Sequence, residues 1–458
     1  LISKRQNVTN NGVLVKSETC NPRYYMAIQY HFMKDLAAPA ILRIQRRHRR
    51  GRRGRPSPYL GPPLRCAGRL KEIMTRHYYL ARFARGAKPV AWVTSGAPVE
   101  FLHVFDFYTI YPENHGALCG SRKMGPDLCI QAEREGYSPD LCSYARIDLG
   151  HLFSKKTPVG KLPKPELLFC SNNICQTVLY WFKELSYYLR IPLILFDTPY
   201  NFNDIHEKDI QYMCSQFHEM IPELERFSSH EFSPSRFHEI IGIARETSLA
   251  WARVLETMKH SPAPMTIFDA FVHMAPIVTL RGLPVALNYY RILLKELEER
   301  VEKGIGAIHN ERRRLMWDNI AIWFKLRDWS ELFAQRGYNF VAATYTNAWA
   351  EAANYLNERH PFESMAKAYG LVILNNNLNH RLRLMEKIVR DYRIDGLVIH
   401  SDRSCKPYSI GQYDLKRRLT EGLGIKSVLI EADMTDFRVY SENQARANLD
   451  AFFEVLED

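Results

Sequence analysis

Short apolar runs alternate with helix-forming segments along most of this 458-residue chain. The run at 167–170 (LLFC) is followed by a segment of helical periodicity at 176–189 and then by a second apolar run at 191–197. Strands buried on both faces read as continuous apolar runs, and strand–helix–strand alternation is typical of parallel sheets. The chain is therefore predicted to be an α/β protein. The same pattern resumes near the C-terminus, in apolar runs at 338–345, 396–400 and 426–431.

The chain is too long for one ordinary hydrophobic core, so several domains are expected. Helical periodicity without strand-like runs dominates the middle of the sequence, which indicates a helical insertion between two α/β lobes. We predict a basic, disordered extension, a first α/β lobe, a helical region and a second α/β lobe, at 1–69, 70–203, 204–334 and 335–458.

The positive charge of the chain is concentrated at its N-terminal end. Residues 1–65 hold 14 Lys and Arg but only two acidic residues, which accounts for the whole formal charge of +12. The run at 46–55 (RRHRRGRRGR) combines like charges with glycines, so we expect a disordered arm. Two interpretations stay open for it: a tail for anionic surfaces or nucleic acid, and an extension without function. Because the rest of the chain is neutral, we do not expect it to bind nucleic acid.

Nine cysteines are scattered along the sequence. An odd, scattered set fits a reducing compartment better than a secreted disulfide scaffold, so we expect a cytoplasmic protein. No window of 18 continuous apolar residues is present, and no membrane span is expected. The sequence also lacks a Gly-x-Gly-x-x-Gly fingerprint and a Walker A motif, so neither an NAD site nor an ATP site is predicted in this chain.

Three cysteines stand where ligand sites are common. Cys175 and Cys405 lie just past the carboxyl ends of predicted buried strands, and Cys142 lies in a polar turn. Open α/β sheets bind ligands at that end of their strands, and three thiolates brought together there can hold a metal cluster. A free cysteine also often packs as a small hydrophobe, and the spacings of 33 and 230 residues match no compact metal motif.

Three titratable side chains are candidates for moving protons. Glu113 and His115 follow an apolar element in the sequence PENH, and His273 stands in the apolar segment 268–276. In a pocket, any of them can donate or accept a proton. The alternatives are that the first two cap a helix and that His273 is a hydrogen-bonded interior histidine.

The sequence motifs around the cysteines resemble those of a known family. The segments 136–150 (GYSPDLCSYARIDLG), 170–175 (CSNNIC) and 395–400 (DGLVIH) resemble signatures of the 2-hydroxyacyl-CoA dehydratase and benzoyl-CoA reductase family. The segments 91–100 (AWVTSGAPVE) and 111–120 (YPENHGALCG) look like the larger cluster-bearing subunit of the ATP-dependent benzoyl-CoA reductases. The resemblance runs from about residue 70 to the C-terminus.

The resemblance implies two lobes of Rossmann-like topology and one [4Fe-4S] cluster. By position, Cys142, Cys175 and Cys405 match the family's cluster ligands, and Cys170 is the main competitor for the second place. The activity it implies is the ATP-driven, two-electron dearomatisation of benzoyl-CoA to a cyclic dienoyl-CoA, in anaerobic degradation of aromatic compounds. Glu113, His115 or His273 would supply the proton. The alternative is a subunit of a radical 2-hydroxyacyl-CoA dehydratase.

The resemblance also implies partners. Within the family a smaller homologous subunit carries a second cluster, and separate ATP-hydrolysing iron–sulfur activator subunits deliver electrons taken from a ferredoxin. This chain would then act on an acyl-CoA substrate only as part of a heteromer.

Overall fold

The computed structural model describes residues 22–49 and 57–457. These residues form two four-stranded sheets in which every strand pair is parallel, with helices around them. The first sheet contains β1 (Val90–Val93), β2 (Tyr108–Ile110), β3 (Leu167–Ser171) and β4 (Leu193–Phe196). The second sheet contains β5 (Arg313–Asp318), β6 (Tyr338–Ala343), β7 (Gly396–Asp402) and β8 (Lys426–Ala432).

Twenty α-helices connect and cover the strands of the described residues. In chain order they are α1 (Pro22–Phe32), α2 (Ala38–Arg49), α3 (Ala67–Ala84), α4 (Val99–Val104), α5 (Pro112–Ser121), α6 (Gly125–Arg134), α7 (Ser143–Ser154), α8 (Gln176–Leu189), α9 (Glu207–Ser228), α10 (Pro234–Glu256), α11 (Ile267–His273), α12 (Ala275–Thr279), α13 (Pro284–Glu302), α14 (Leu326–Ala334), α15 (Thr344–Glu351), α16 (Pro361–Gly370), α17 (Leu378–Asp391), α18 (Lys406–Ser409), α19 (Gln412–Leu423) and α20 (Glu442–Glu457). None of them combines the length and apolarity needed to cross a bilayer.

The two sheets have the same topology. Their strand orders are β2-β1-β3-β4 and β6-β5-β7-β8. In each sheet the chain moves from its first strand to one edge and then returns to the other side of that first strand. The direction of winding therefore reverses between β1 and β3, and again between β5 and β7, and such switch points are where open α/β sheets bind ligands. The prediction of an α/β fold with two Rossmann-like lobes is confirmed.

Apolar burial explains why the central strands form. All four residues of β1 and all five of β3 are buried, as expected for parallel strands covered by helices on both faces. Trp92 pairs with Leu168 in the register between them. In the second sheet, Trp317 of β5 is buried against Phe340.

One central strand was not evident from the sequence. Strand β5 lies inside the range 204–334, which the sequence pattern assigned to a helical region, yet it pairs with both β6 and β7. Its sequence, RRLMWD, begins with two arginines and does not read as an apolar run. Arg314 is nevertheless buried, because it pairs with Glu311 at 2.6 Å and donates to three backbone carbonyl groups. The predicted domain boundaries themselves stay predictions.

The prediction of a disordered extension at 1–69 is wrong for the part that the structure describes. Residues 22–49 form α1, a π-helical turn and α2, and these pack on α3. Tyr30 and Ala38 are buried in a cluster with Leu80, Ala84 and Val90. The high average charge of this segment concealed the apolar face of its helices. One of its arginines, Arg46, is paired with the buried Glu72. The segments 1–21 and 50–56, which include much of the basic run, lie outside the described residues.

Candidate functional site

The structure brings Cys142, Cys175 and Cys405 to one cavity of about 140 Å³, hereafter the cysteine cavity. Each stands directly before a helix, at the N-caps of α7, α8 and α18. Cys175 and Cys405 are delivered by the loops after β3 and β7, beside the two switch points. The loops after β1 and β5 add Ser95 and Ile320 to the same lining. The switch points of both sheets therefore open onto one cavity.

The three thiols lie close enough to influence one another. Burial raises the pKa of the Cys175 thiol to about 11. The pKa values of the Cys142 and Cys405 thiols are raised well above the ordinary value, first by burial and then by the proximity of other acidic groups, Cys175 and Asp402 among them. The Val178 amide donates to Cys175 Sγ over 3.3 Å. A bound cation would therefore have to displace protons from these thiols.

Three cysteine side chains around one cavity are the kind of ligands that an iron–sulfur cluster uses. Among residues 22–49 and 57–457, no group of three or more His, Cys, Asp or Glu side chains is arranged to hold one metal ion. In an iron–sulfur cluster each cysteine binds a different iron, so the sulfur atoms surround a volume and do not meet at a point. Three thiols spread around one cavity satisfy that requirement. Cys170 lies within β3, fully buried, and is not part of the lining.

Polar contacts tie the Cys142 turn to the Cys405 loop. The Ser143 amide donates to Ser404 Oγ over 3.1 Å, and Ser404 Oγ donates to Asp433 Oδ2 over 2.5 Å. Arg146, the fourth residue of the helix that Cys142 caps, is 2% exposed and donates to Asp436 Oδ2 over 3.0 Å. It also donates to Glu133 over 2.8 Å. The Ser143–Ser404 and Arg146–Asp436 bonds join the two lobes beside the cysteines.

Glu113 is the titratable side chain best placed beside the cysteines. It stands in the first turn of α5, and its Oε2 accepts hydrogen bonds from the amide and the hydroxyl of Ser95, the latter over 2.8 Å. Burial raises the pKa of the carboxyl to about 6 although these bonds favour its ionised form. Its carboxyl group can therefore change protonation near neutral pH.

The other two titratable candidates, His115 and His273, lie in different parts of the protein. His115 is fully buried, and its Nε2 lies 2.8 Å from Thr157 Oγ1. Burial lowers the pKa of His115 to about 3, so it is neutral. His273 ends α11 and its Nδ1 shares a hydrogen bond with the Tyr289 hydroxyl. Neither ring lines the cysteine cavity or the larger one described below.

The loop after β1 is supported by a buried ion pair, which the sequence analysis did not find. Arg281 and Glu100 both line the cysteine cavity, 3.1 Å apart, and both are almost completely buried. Arg281 also donates to the Ala97 carbonyl group over 2.6 Å and lies 3.4 Å from the carbonyl oxygen of Ser95. The available signal was an arginine inside the apolar stretch 274–285, since an isolated charge there must have a buried partner.

A larger cavity of about 790 Å³ adjoins the cysteine cavity and shares four lining residues with it, namely Ser95, Glu113, Tyr144 and Tyr345. Most of the remaining lining is apolar and comes from α3, α5 and the segment around α11 and α12. Examples are Leu70, Met74, Ala117, Leu118, Phe271, Met274 and Val278.

Helix α5 shows how far this large cavity extends. Glu113 and Asn114 line it at the start of α5, Ala117 and Leu118 one turn later, and Arg122 directly after its end. Arg122 is nine positions after Glu113, which is about 13 Å along a helix. The large cavity is therefore elongated, with the cysteines beyond the Glu113 end. Arg82 and Lys71 are the other cations in its lining.

Comparisons with known proteins agree with this architecture. The family model described as 2-hydroxyglutaryl-CoA dehydratase, D-component, matches residues 94–456. The chain is 34% identical over 393 residues to the (R)-2-hydroxyisocaproyl-CoA dehydratase alpha subunit of Clostridioides difficile, covering 85% of this chain and 95% of that protein. It is 33% identical to the (R)-phenyllactyl-CoA dehydratase alpha subunit of Clostridium sporogenes, covering 81% and 90%.

A reductase is among the relatives at lower identity. The chain is 29% identical to a benzoyl-CoA reductase subunit of Thauera aromatica, covering 81% of this chain and 89% of that protein. The closer resemblance to the reductases suggested by 91–100 and 111–120 is therefore not confirmed, whereas the broader family is. This chain belongs to the 2-hydroxyglutaryl-CoA dehydratase D-component family.

Proposed function

We propose that this chain is the cluster-bearing subunit of an enzyme that removes water from an (R)-2-hydroxyacyl-CoA thioester. One observation carries the proposal: three cysteines from separate elements line a cavity that meets an elongated, mostly apolar cavity at Glu113. Relatives more than 30% identical to this chain are named as alpha subunits of such dehydratases.

The cysteine cavity supplies the cofactor site of this proposal. A [4Fe-4S] cluster bound by Cys142, Cys175 and Cys405 would provide electron transfer and Lewis-acid chemistry beside the substrate. Removing water from a 2-hydroxyacyl group also requires that a proton leave the neighbouring carbon. Glu113 is placed to accept it at Oε1, because Oε2 is occupied by Ser95. The apolar walls exclude bulk water from both groups.

The large cavity matches the shape and charge of a CoA thioester. Such a substrate has an acyl group, a long and mostly uncharged arm, and a nucleotide carrying phosphates. The apolar lining around Phe271, Met274 and Tyr345 suits the acyl group beside the cysteines. Arg122, about 13 Å along α5 from Glu113, is placed to bind a negatively charged group at the far end.

Reduction of benzoyl-CoA is the second candidate. The favouring observation is that Ser95 and Glu113, which share hydrogen bonds, come from the two segments that resemble the reductase subunit. In that reaction a proton is added to the ring, so the protonated form of Glu113 would act. The two candidates therefore demand opposite protonation states of one carboxyl group.

The proposal includes partners. The relatives named above are subunits, and this chain would pair with a smaller homologous subunit. As the family resemblance implies, an ATP-hydrolysing iron–sulfur activator that draws electrons from a ferredoxin would dock on the pair, in the cytoplasm. His273 and His115, which face protein groups, are kept only as secondary proton-transfer candidates.

Two measurements on anaerobically prepared protein test this proposal. The chain should contain about four iron and four sulfide. Each of Cys142→Ser, Cys175→Ser and Cys405→Ser should lose most of that content, whereas Cys214→Ser, a half-buried cysteine on α9 outside the cavity, should retain it. Normal iron content in all three variants would refute the ligand assignment.

An activity assay distinguishes the dehydration of a 2-hydroxyacyl-CoA from the reduction of benzoyl-CoA. With its partner, the activator, MgATP and a strong reductant, the chain should convert an (R)-2-hydroxyacyl-CoA to the enoyl-CoA. Consumption of benzoyl-CoA without dehydration would establish the reductase instead. Turnover of neither thioester by a fully loaded complex would contradict both assignments.

A further inference from the structure

A third cavity, of about 300 Å³, lies on the opposite face of α3 from the large cavity; we call it the basic cavity. Helix α3 lines it with Arg69, Ile73, Arg76 and His77, whereas Leu70, Met74 and Tyr78 line the large cavity. Its other walls come from α1 and the turn after it, the starts of β1 and β2, and α10. It thus lies at the amino end of the first sheet, away from the cysteines.

Cations outnumber carboxylates in the lining of the basic cavity. The cations are Lys34, Arg69, Arg76, Lys88 and Arg236, and the carboxylates are Glu72 and Asp106. Both carboxylates already have partners among the described residues. Asp106 lies 2.7 Å from Lys88 and 3.4 Å from Arg236. Glu72 pairs with Arg46 and lies 3.6 Å from Arg69.

Three nitrogen atoms in the lining have no partner among the described residues. They are Nε of Arg76, Nε2 of His77 and Nε2 of His103, all buried. Among the described residues, Arg76 forms no ion pair with a carboxylate, and its one hydrogen bond is a 3.3 Å contact with the Lys34 carbonyl group. A buried polar atom without a hydrogen-bond partner costs about 1–3 kcal/mol, so three of them around one cavity indicate a missing partner.

We propose that the basic cavity binds a compact phosphate-bearing anion. The anion would accept hydrogen bonds from Arg76, His77 and His103, and the ammonium group of Lys34 would complete its neutralisation. Burial lowers the pKa of His77 to about 4, so that ring is neutral, and it donates from Nε2 in the tautomer that carries its hydrogen there. The volume lies at the lower end of ligand pockets, which favours pyrophosphate or a small nucleotide over a whole coenzyme.

The basic cavity is distinct from the site of the proposed reaction. Helix α3 separates it from the large cavity, and none of its lining residues lines the cysteine cavity. Helix α4 reaches both places, with His103 in the basic cavity and Glu100 in the cysteine cavity. Binding of an anion is therefore testable without the cluster or the partner.

Calorimetric titration of the full chain with pyrophosphate, ADP and sulfate tests the proposal. Pyrophosphate should bind, and more weakly as salt is raised. Arg76→Gln should weaken binding about tenfold or more, since a hydrogen bond to a charged group is lost. Lys34→Gln, on a partly exposed turn, gives a second test should the first variant fold poorly. Arg383→Gln, an exposed arginine on α17, is the matched control.

The outcomes separate the sources of the anion. Tighter binding of ADP than of pyrophosphate would identify a nucleotide, and the reverse order an inorganic anion; either result supports the basic cavity when Arg76→Gln weakens the binding. Equal affinity in wild type, Arg76→Gln and Lys34→Gln would overturn the proposal. So would the absence of binding of either phosphate compound to the wild-type chain at millimolar concentration.

Discussion

At the scale of single residues, hydrogen bonding decides what each candidate can do. Glu113 has one carboxylate oxygen occupied by Ser95 and the other without a described partner. His115 and His273 have ring nitrogens bonded to Thr157 and Tyr289. The sequence pattern did not distinguish the three residues, because each is a titratable residue near an apolar segment. Their differences arise from groups that are 16 to 42 residues distant in the chain.

Glu113→Gln should lower kcat about 10²- to 10⁴-fold, the usual range for loss of a general acid or base. The dehydratase reaction needs the ionised carboxylate, so wild-type activity should rise with pH through about 6. Reduction of benzoyl-CoA needs the protonated form, so that activity should fall through the same pH. The measurement is the pH dependence of kcat/KM, and Glu113→Gln should remove the ionisation.

A control and a stability test accompany this variant. Glu239→Gln, an exposed glutamate on α10, should leave the profile unchanged. Because the raised pKa means that the native state binds the Glu113 proton more tightly than the unfolded chain, stability should fall as pH rises from 4.5 to about 6. An unaltered pH profile in Glu113→Gln would assign the ionisation to another group.

At the scale of elements, close helix packing holds the cysteine turns in place. Helix α7, which Cys142 caps, packs on α6 so tightly that a Cβ on Gly150 would lie 2.0 Å from the Leu128 carbonyl oxygen. Only glycine allows the two backbones to approach in this way. The motif at 136–150 therefore combines a proposed ligand with the residue that positions its helix.

Gly150→Ala should destabilise the protein by about 1–3 kcal/mol, the usual cost of overpacking, because the carbonyl group of Leu128 must move. Gly242→Ala on α10 is the control, since nothing lies near its added methyl group; it should be stabilising by about 1 kcal/mol. Urea unfolding measures both changes. Equal effects of the two substitutions would show that α6 and α7 do not pack as described.

At the scale of the whole molecule, buried charges join the two lobes. Arg146 from the first lobe contacts Asp436 from the second, and Asp433 lies 4.0 Å away. Asp436 also pairs with Arg438, and Asp433 accepts a hydrogen bond from Ser404. Since these groups stand beside Cys142 and Cys405, the relative position of the lobes and the shape of the cysteine cavity depend on one network.

Arg146→Gln should cost about 3–5 kcal/mol, because it leaves Asp436 and its neighbours as buried charges without a full partner. The iron content of the variant should fall with its stability. Arg417→Gln, which breaks an exposed pair with Glu421 at 2.8 Å, should change stability by less than about 1 kcal/mol. Denaturant unfolding followed by fluorescence gives both values, and a neutral Arg146→Gln would show that the lobes are held together by other contacts.

The sequence by itself determined the fold class and the family. Burial of a strand on both faces is a local property, so runs such as 167–170 and 396–400 revealed a parallel α/β fold without knowledge of their partners. The family followed from motifs whose residues are adjacent in the chain, as at 136–150. Neither inference required a long-range contact.

Only the tertiary structure decided what lies together. The convergence of Cys142, Cys175 and Cys405 depends on two switch points in separate sheets, and residues as far as 263 positions apart meet there. Strand β5 was missed because Arg314 is buried against the backbone carbonyl groups of Met258, His260 and Tyr392, which are distant in the chain. The helices at 22–49 were missed because their apolar face is covered by α3. In each case the deciding energy is a burial or pairing between distant parts of the chain, which local sequence patterns do not contain.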